Sequence, residues 1–498
     1  MTRPFVRRLS AALLLCLGGC AGAQHEAGVP DGFEPRLARS SWPMYHADPR
    51  ATASSPDRGP GAVRAFQAVD ALTGRRLRRP AVSPWVLMAE PYPDGSQAAI
   101  TTPNDGVAKY LLDGDRFEAV HFLDLDRRDR DFDWGIVLLA DGLGVVTERK
   151  HNRFVVFGDA RPGGPRAPLE VKFRIPVDER RHGRLTAHHS LAPSGHLIAL
   201  TSADKLIAVD LRRQAVVASV DLPTGGGFSY HNSFPIDARG RIFLSTQARM
   251  IAVDWDGRAF GVAWEAAYDM RGPGCEGVPP ARSQMQERLA VSRGERCTGT
   301  GTTPTILSSG VVVIVDGHAP QNNLVAFWQD APPPGWAPLR DGRSGRLDPQ
   351  VAGVLALPHS TPEGDGFTAE NSPAALGDGV VVAQWAGFRP GRDAPRGVQR
   401  VDWDPARRAL VLRWANPGVH YNGIPTIACE RPGACQTYGM GWHGAEYAYT
   451  SLDFETGRVT GRIGMGRDRA VLDLGNGHAV AHDGSVVYSG RYQMVRVR

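Results

Sequence analysis

Pairs and triplets of hydrogen-bonding side chains recur along this chain, each close to a short apolar run. They are His188-His189, His231-Asn232, Thr302-Thr303, Glu370-Asn371, Tyr421-Asn422 and Arg467-Asp468-Arg469. Oxygen ligands from Glu370, Asn371, Asn232 and Asn422 would suit Ca²⁺, and adding His189 and His231 would suit a transition metal. Either histidine could act as a base beside such a metal, and Thr302 adds a neutral hydroxyl. The spacing between the pairs is irregular, so they meet only if each holds an equivalent place in a repeated unit. The same residue types also serve structure, because Ser, Thr or Asn ahead of a strand often satisfies a backbone amide.

A repeated unit is present. "HHSLAPSGHLIAL", "HNSFPIDARGRIFL" and "ENSPAALGDGVVVA" share one layout. A second layout, an apolar strand ending in Asp and followed by a polar turn and another strand, reads "IAVDLRRQAVVASV" from Ile207, "IAVDWDGRAFGVAW" from Ile251 and "TSLDFETGRVTGRI" from Thr450. Short Val/Ile/Leu runs broken by Asp-Gly, Ser-Gly and Arg-Gly turns indicate an all-β chain. A period of roughly 40–50 residues with four short strands indicates propeller blades. Seven units are complete, and an eighth, residues 478–498, lacks its outer strand. The spare strand in residues 61–70 can supply it, closing the ring and removing two sheet edges. The expectation is a single β-propeller of eight four-stranded blades, with seven as the alternative count. In such a ring the polar pairs precede the innermost strands and converge on one mouth of the central channel.

"SWPMYHADPRATASSPDRGPGAVRAFQAVDALTGRRL" resembles the opening segment of the PQQ-like, or quinoprotein-type, β-propellers. Asp70-Ala71-Leu72-Thr73-Gly74 and Asp453-Phe454-Glu455-Thr456-Gly457 are similar to that family's blade turn, Asp-x-x-Thr-Gly, while the middle copies keep only the Asp. The resemblance covers residues 41–498 and implies a fold that hosts enzymes, assembly scaffolds and sensors alike. Three functions are compatible with it. One is a module that binds a small molecule or an envelope protein. Another is a Ca²⁺-dependent hydrolase or lactonase with Glu370 and Asn371 as metal ligands. The third is a PQQ-dependent dehydrogenase. The chain has no adjacent cysteine pair and little Trp at its blade ends, so PQQ is not expected and calcium is the candidate cofactor.

The N-terminus reads as a targeting segment. "MTRPFVRR" is basic, "LSAALLLCLGG" is apolar, and Leu17-Gly18-Gly19-Cys20 resembles the lipobox of bacterial lipoproteins. Residues 1–19 are then a signal peptide and residues 20–40 a tether lipidated at Cys20. Ala21 after the cysteine implies, by resemblance, the outer membrane, so the protein is expected in the periplasm with the membrane as a partner through its lipid. Cys275, Cys297, Cys429 and Cys435 remain for disulfides, local pairing being the simplest of three connectivities. The formal charge of +5 comes from 57 basic and 52 acidic residues that are interspersed, which argues against nucleic acid as a partner. Residues 271–297, 331–350 and 429–444 read as insertions able to cover the mouth or pad the blade edges.

Overall fold

The computed structural model describes residues 33–72, 85–103, 105–125, 135–223, 233–246, 249–268, 300–316, 322–341, 345–359, 371–385, 397–473, 475 and 477–498. Among them the chain forms eight antiparallel sheets arranged as the blades of a propeller. Counting strands A to D outward from the axis, blade 1 is Val86–Met88, Gln97–Thr101, Gly106–Asp113 and Arg116–Asp124. Blade 2 is Ile136–Leu139, Leu143–Glu148, Arg153–Asp159 and Leu169–Pro176. Blade 3 is Leu185–Leu191, Leu197–Thr201, Lys205–Asp210 and Ala215–Asp221. In blade 4, Arg241–Ser245, Arg249–Trp255 and Phe260–Ala267 are joined at the axis only by a bridge from Ile236 to Ile242. Blade 5 is Thr305–Ile306, Val311–Val315, Asn323–Trp328 and Val351–Ala356, and blade 6 is Ala374–Leu376, Gly379–Ala383, Val398–Asp404 and Ala409–Asn416. Blade 7 is Thr426–Arg431, Ala434–His443, Glu446–Asp453 and Val459–Gly466.

Blade 8 takes Ala479–Val480, Val486–Ser489 and Gln493–Val497 from the C-terminus and Phe66–Asp70 from the N-terminal side. The two ends pair in continuous register, Phe66 opposite Val497 through Asp70 opposite Gln493. This is the closure expected from the spare strand, and it settles the count at eight.

The B and C strands are Val/Ile/Leu-rich and buried on both faces, because each blade packs between two neighbours. The D strands form the outer edge, and along Ala215–Asp221 every residue is half-buried or exposed. The turn between C and D is where the Asp signal acts. Asp453 Oδ1 accepts the amide and the hydroxyl of Thr456, each at 2.7 Å, and Gly457 follows at φ 69°. Asp210 caps its turn in the same way through Arg212 and Arg213. In blades 4 and 6 the capping carboxylates are Asp256 and Asp404, two residues beyond the expected Asp254 and Asp402. Asp254 and Asp402 instead bind Arg241 and Arg400.

Some expected boundaries move. Residues 429–444 are not an insertion: they belong to strands A and B of blade 7, joined at Gly433. Two glycines of this stretch mark close approaches within strand B. A Cβ on Gly439 would stand 2.3 Å from the Tyr421 ring, and one on Gly441 would stand 1.9 Å from the His420 carbonyl oxygen. The Cys429–Cys435 disulfide joins these two strands. Residues 331–350 do form an insertion, between strands C and D of blade 5, with a small hairpin of Arg340–Asp341 and Gly345–Arg346. Residues 271–297, with Cys275 and Cys297, lie outside the described residues, as do Cys20 and Thr73-Gly74.

Deleting residues 61–70 should lower the melting temperature by several degrees. It strips blade 8 of its outer strand and forfeits a few net hydrogen bonds of roughly 1 kcal/mol each. A deletion variant that melts with the parent would contradict closure by the two ends.

Candidate functional site at the channel mouth

The central channel is filled by the chain itself. From Phe33 the backbone crosses the face that carries the A–B and C–D turns: Phe33 O accepts Arg212 Nε at 2.6 Å, and Arg36 O accepts the Ala140 amide at 2.8 Å. Residues 41–58 then circle the axis inside the ring. Carbonyls of Trp42, Pro43, Pro49, Arg50, Thr52 and Ala53 accept, in that order, the amides of Met88, Leu138, Ile236, Ile306, Ala375 and Ile427 at 2.7–3.0 Å. These donors belong to the axial positions of blades 1, 2, 4, 5, 6 and 7. Tyr45 donates its hydroxyl to His189 O of blade 3 at 2.9 Å, and Ser41 donates to Val480 O of blade 8. Ser54–Arg58 finally runs parallel to the A strand of blade 7 and returns to the first face.

Extended backbone turns successive carbonyls to opposite sides. Presenting the carbonyls of residues 49, 50, 52 and 53 outward to successive blades therefore requires reversals. Ala51 and Ala53 supply them at φ 57° and 47°, and His46 and Ala47 make a similar turn at 60° and 73°. Small alanines suit this close approach to the inner strands.

The opposite face is where most A strands begin, and there the structure brings together three of the residues singled out by sequence. Thr302 bonds Thr300 Oγ1 at 2.8 Å and accepts the Val315 amide at 3.1 Å. Asn371 Nδ2 donates to Gly423 O at 3.1 Å, while its buried Oδ1 has no hydrogen-bond partner among the described residues. Asn422 Nδ2 donates to Asp473 O at 2.7 Å. Thr303 Oγ1 meets His46 Nε2 at 3.0 Å and Ser233 Oγ at 2.7 Å, and its amide donates to Ser372 Oγ at 2.8 Å. His189 lies within the A strand of blade 3 and its ring lodges between blades 2 and 3. There Nδ1 meets Thr147 Oγ1 at 3.1 Å, and the absent Cβ of Gly135 leaves the ring its room. His231, Asn232 and Glu370 lie outside the described residues. Among the described residues no group of three or more His, Cys, Asp or Glu is disposed to hold a metal ion.

Arg467-Asp468-Arg469 does not open the axial strand of blade 8. Asp468 caps the short turn Arg469–Val471, and Arg467 is exposed. The polar group ahead of that strand is His478, part of a fully buried chain. Its Nε2 meets Asp473 Oδ2 at 2.9 Å and its Nδ1 meets Tyr449 Oη at 2.9 Å. Burial raises the Tyr449 pKa, so the phenol stays protonated. This chain ties blade 7 to blade 8 beside the closure. His478 stands at the head of "HAVAHDGSVVYSG", so the recurrent layout could have found it. His46 carried no such signal, because residues 41–58 follow neither a strand nor a helix period.

No family model matches the chain. A protein of Archaeoglobus fulgidus, named only as uncharacterized, is 23% identical over 451 residues, spanning 84% of this chain and 80% of its own length. BamB from Moraxella catarrhalis is similar in structure at 14% identity, covering 73% of this chain and 86% of its own with a TM-score of 0.41. A Lactobacillus plantarum protein covers 67% of this chain and 86% of its own at 11% identity, with a TM-score of 0.36. The propeller assignment rests on the strand pairing described above.

Burial lowers the His46 pKa from 6.5 to about 3, so the ring is neutral in the fold. The unfolded chain binds this proton more readily, and adding protons weakens the fold. The contribution of His46 is complete above about pH 6.5 and declines as pH falls towards 3, by at most about 1.4 kcal/mol per pH unit. His46→Asn, which tolerates the left-handed backbone, should flatten the fall in melting temperature between pH 7 and pH 5. Identical pH profiles for variant and parent would remove His46 as the cause.

Proposed function

We propose that the chain is a periplasmic lipoprotein, held at the outer membrane by a lipid on Cys20, whose propeller binds a ligand or partner protein at the mouth of its plugged channel. The observation that carries this reading is the polar mouth on the face opposite the one where Phe33 lies. There the buried amide oxygen of Asn371 has no hydrogen-bond partner among the described residues. A buried, unpaired acceptor costs roughly 1–3 kcal/mol, a cost that a ligand donor or cation would relieve. Residues 21–32 can extend at most about 45 Å, so the lipid would hold the propeller within that distance of the membrane.

A second reading uses the same place. Glu370 precedes Asn371 in sequence, and a carboxylate beside an unpaired amide oxygen suits Ca²⁺, which would make the mouth a metal-dependent hydrolase or lactonase site. A calcium ion there would draw on Glu370 and Asn371, with Asn232 and Asn422 as further oxygen ligands.

Replacing Cys20 with Ala should move the protein from the outer-membrane fraction to the soluble periplasm without changing its melt; unchanged fractionation would refute the anchor. For the mouth, Asn371→Ala and Glu370→Gln should abolish any stabilisation by added Ca²⁺ or by the captured ligand, about 2.7 kcal/mol at 100-fold excess over Kd. Variants that respond as the parent does would exclude these residues as the site.

A further inference from the structure

A groove of about 750 Å³ opens between blades 1 and 2 on the face where the chain enters, away from the channel mouth. Its size falls within the span of about 300–1,000 Å³ typical of small-ligand sites. The floor is apolar: Phe33, Ile100, Leu138 and Phe157 are all buried beneath it. Tyr92, held between Pro91 and Pro93, forms one wall, so the site is preformed rather than assembled by mobile side chains.

The charges of the groove fall into two sets. At the base, Asp159 accepts Lys109 Nζ at 2.5 Å and the Tyr92 hydroxyl at 2.7 Å, which uses both carboxylate oxygens. Lys172 Nζ is likewise occupied, by Asp159 O at 2.9 Å and Glu170 Oε1 at 2.7 Å. The charges of these groups compensate one another. At the rim stand Glu90 and Asp141. Glu90 accepts one backbone amide, that of Arg39 at 2.6 Å. Among the described residues no cationic side chain pairs with either carboxylate. The groove therefore combines an apolar floor with two rim carboxylates that form no ion pair among the described residues.

We propose that this groove is a binding site for a small organic cation, an aryl or alkyl body carrying an ammonium group. The body covers the floor beside Tyr92 and the ammonium sits between Glu90 and Asp141. The site is separate from the channel mouth and stands or falls independently of that reading.

Matched probes of opposite charge test it on the full mature chain. Phenethylamine, tryptamine and hexylamine would be titrated by calorimetry against phenylacetate, indole-3-acetate and hexanoate. Each ammonium should bind more tightly than the carboxylate of the same body, and the preference should shrink as salt is raised. The double variant Glu90→Gln, Asp141→Asn should lose roughly ten-fold in ammonium affinity while carboxylate binding does not fall. Asn keeps the left-handed backbone of Asp141, at φ 65°, and the single variant Glu90→Gln serves if the double variant melts early. The proposal is overturned if no ammonium outcompetes its carboxylate partner, or if the variants bind the ammonium probes as the parent does.

Discussion

The inner edges of the blades set the central constraint on this molecule. Every innermost strand of a propeller presents unpaired backbone amides and carbonyls to the channel, an edge that needs water or another strand. Here the chain fills the channel with its own residues 41–58, whose carbonyls answer six of those strands and whose side chains answer the other two. The six backbone bonds are worth roughly 1 kcal/mol each. The left-handed conformations of His46, Ala47, Ala51 and Ala53 cost about 1–2 kcal/mol each. These terms nearly cancel. The net gain must come from burial, and Trp42, Met44 and Tyr45 are each at most 2% exposed.

The plug makes the ring cooperative in a way that closure alone does not. Closure joins blade 8 to the N-terminal strand, and the buried Asp473–His478–Tyr449 chain ties blades 7 and 8 beside it. The plug adds one continuous segment that touches all eight blades. It also occupies the axis, which leaves two distinct faces on the ring. The two surfaces differ: the face where Phe33 enters carries the groove with its acidic rim, and the opposite face carries Asn371, Asn422 and Thr302.

Much of this was legible in the sequence where the signal is local. The strand, Asp and turn-Gly rhythm marks the C–D turns, and Asp453-Phe454-Glu455-Thr456-Gly457 makes the hydrogen bonds its residue types imply. The spare strand could be placed because a ring has one missing partner. What failed to show was long-range. Residues 429–444 read as an insertion, and the partners that require Gly439 and Gly441 within a strand, Tyr421 and His420, lie outside that stretch. The plug pairs residues such as Thr52 and Ala375, hundreds of positions apart, through backbone atoms that leave no trace in side-chain pattern. For the site, sequence marked Thr302, Asn371 and Asn422 as neighbours of the axis. It could not show that most of their hydrogen-bonding capacity is spent on other parts of the protein.

Hydrogen–deuterium exchange of the Met88, Leu138, Ile236, Ile306, Ala375 and Ile427 amides tests the plug most directly. Each donates to the segment that fills the channel. If that segment seals the ring, all six should exchange as slowly as the amides between strands B and C, opening only with global unfolding. Exchange of these six at the rate of surface turns, while the B–C amides stay protected, would mean that the channel is open and the account of its seal is wrong.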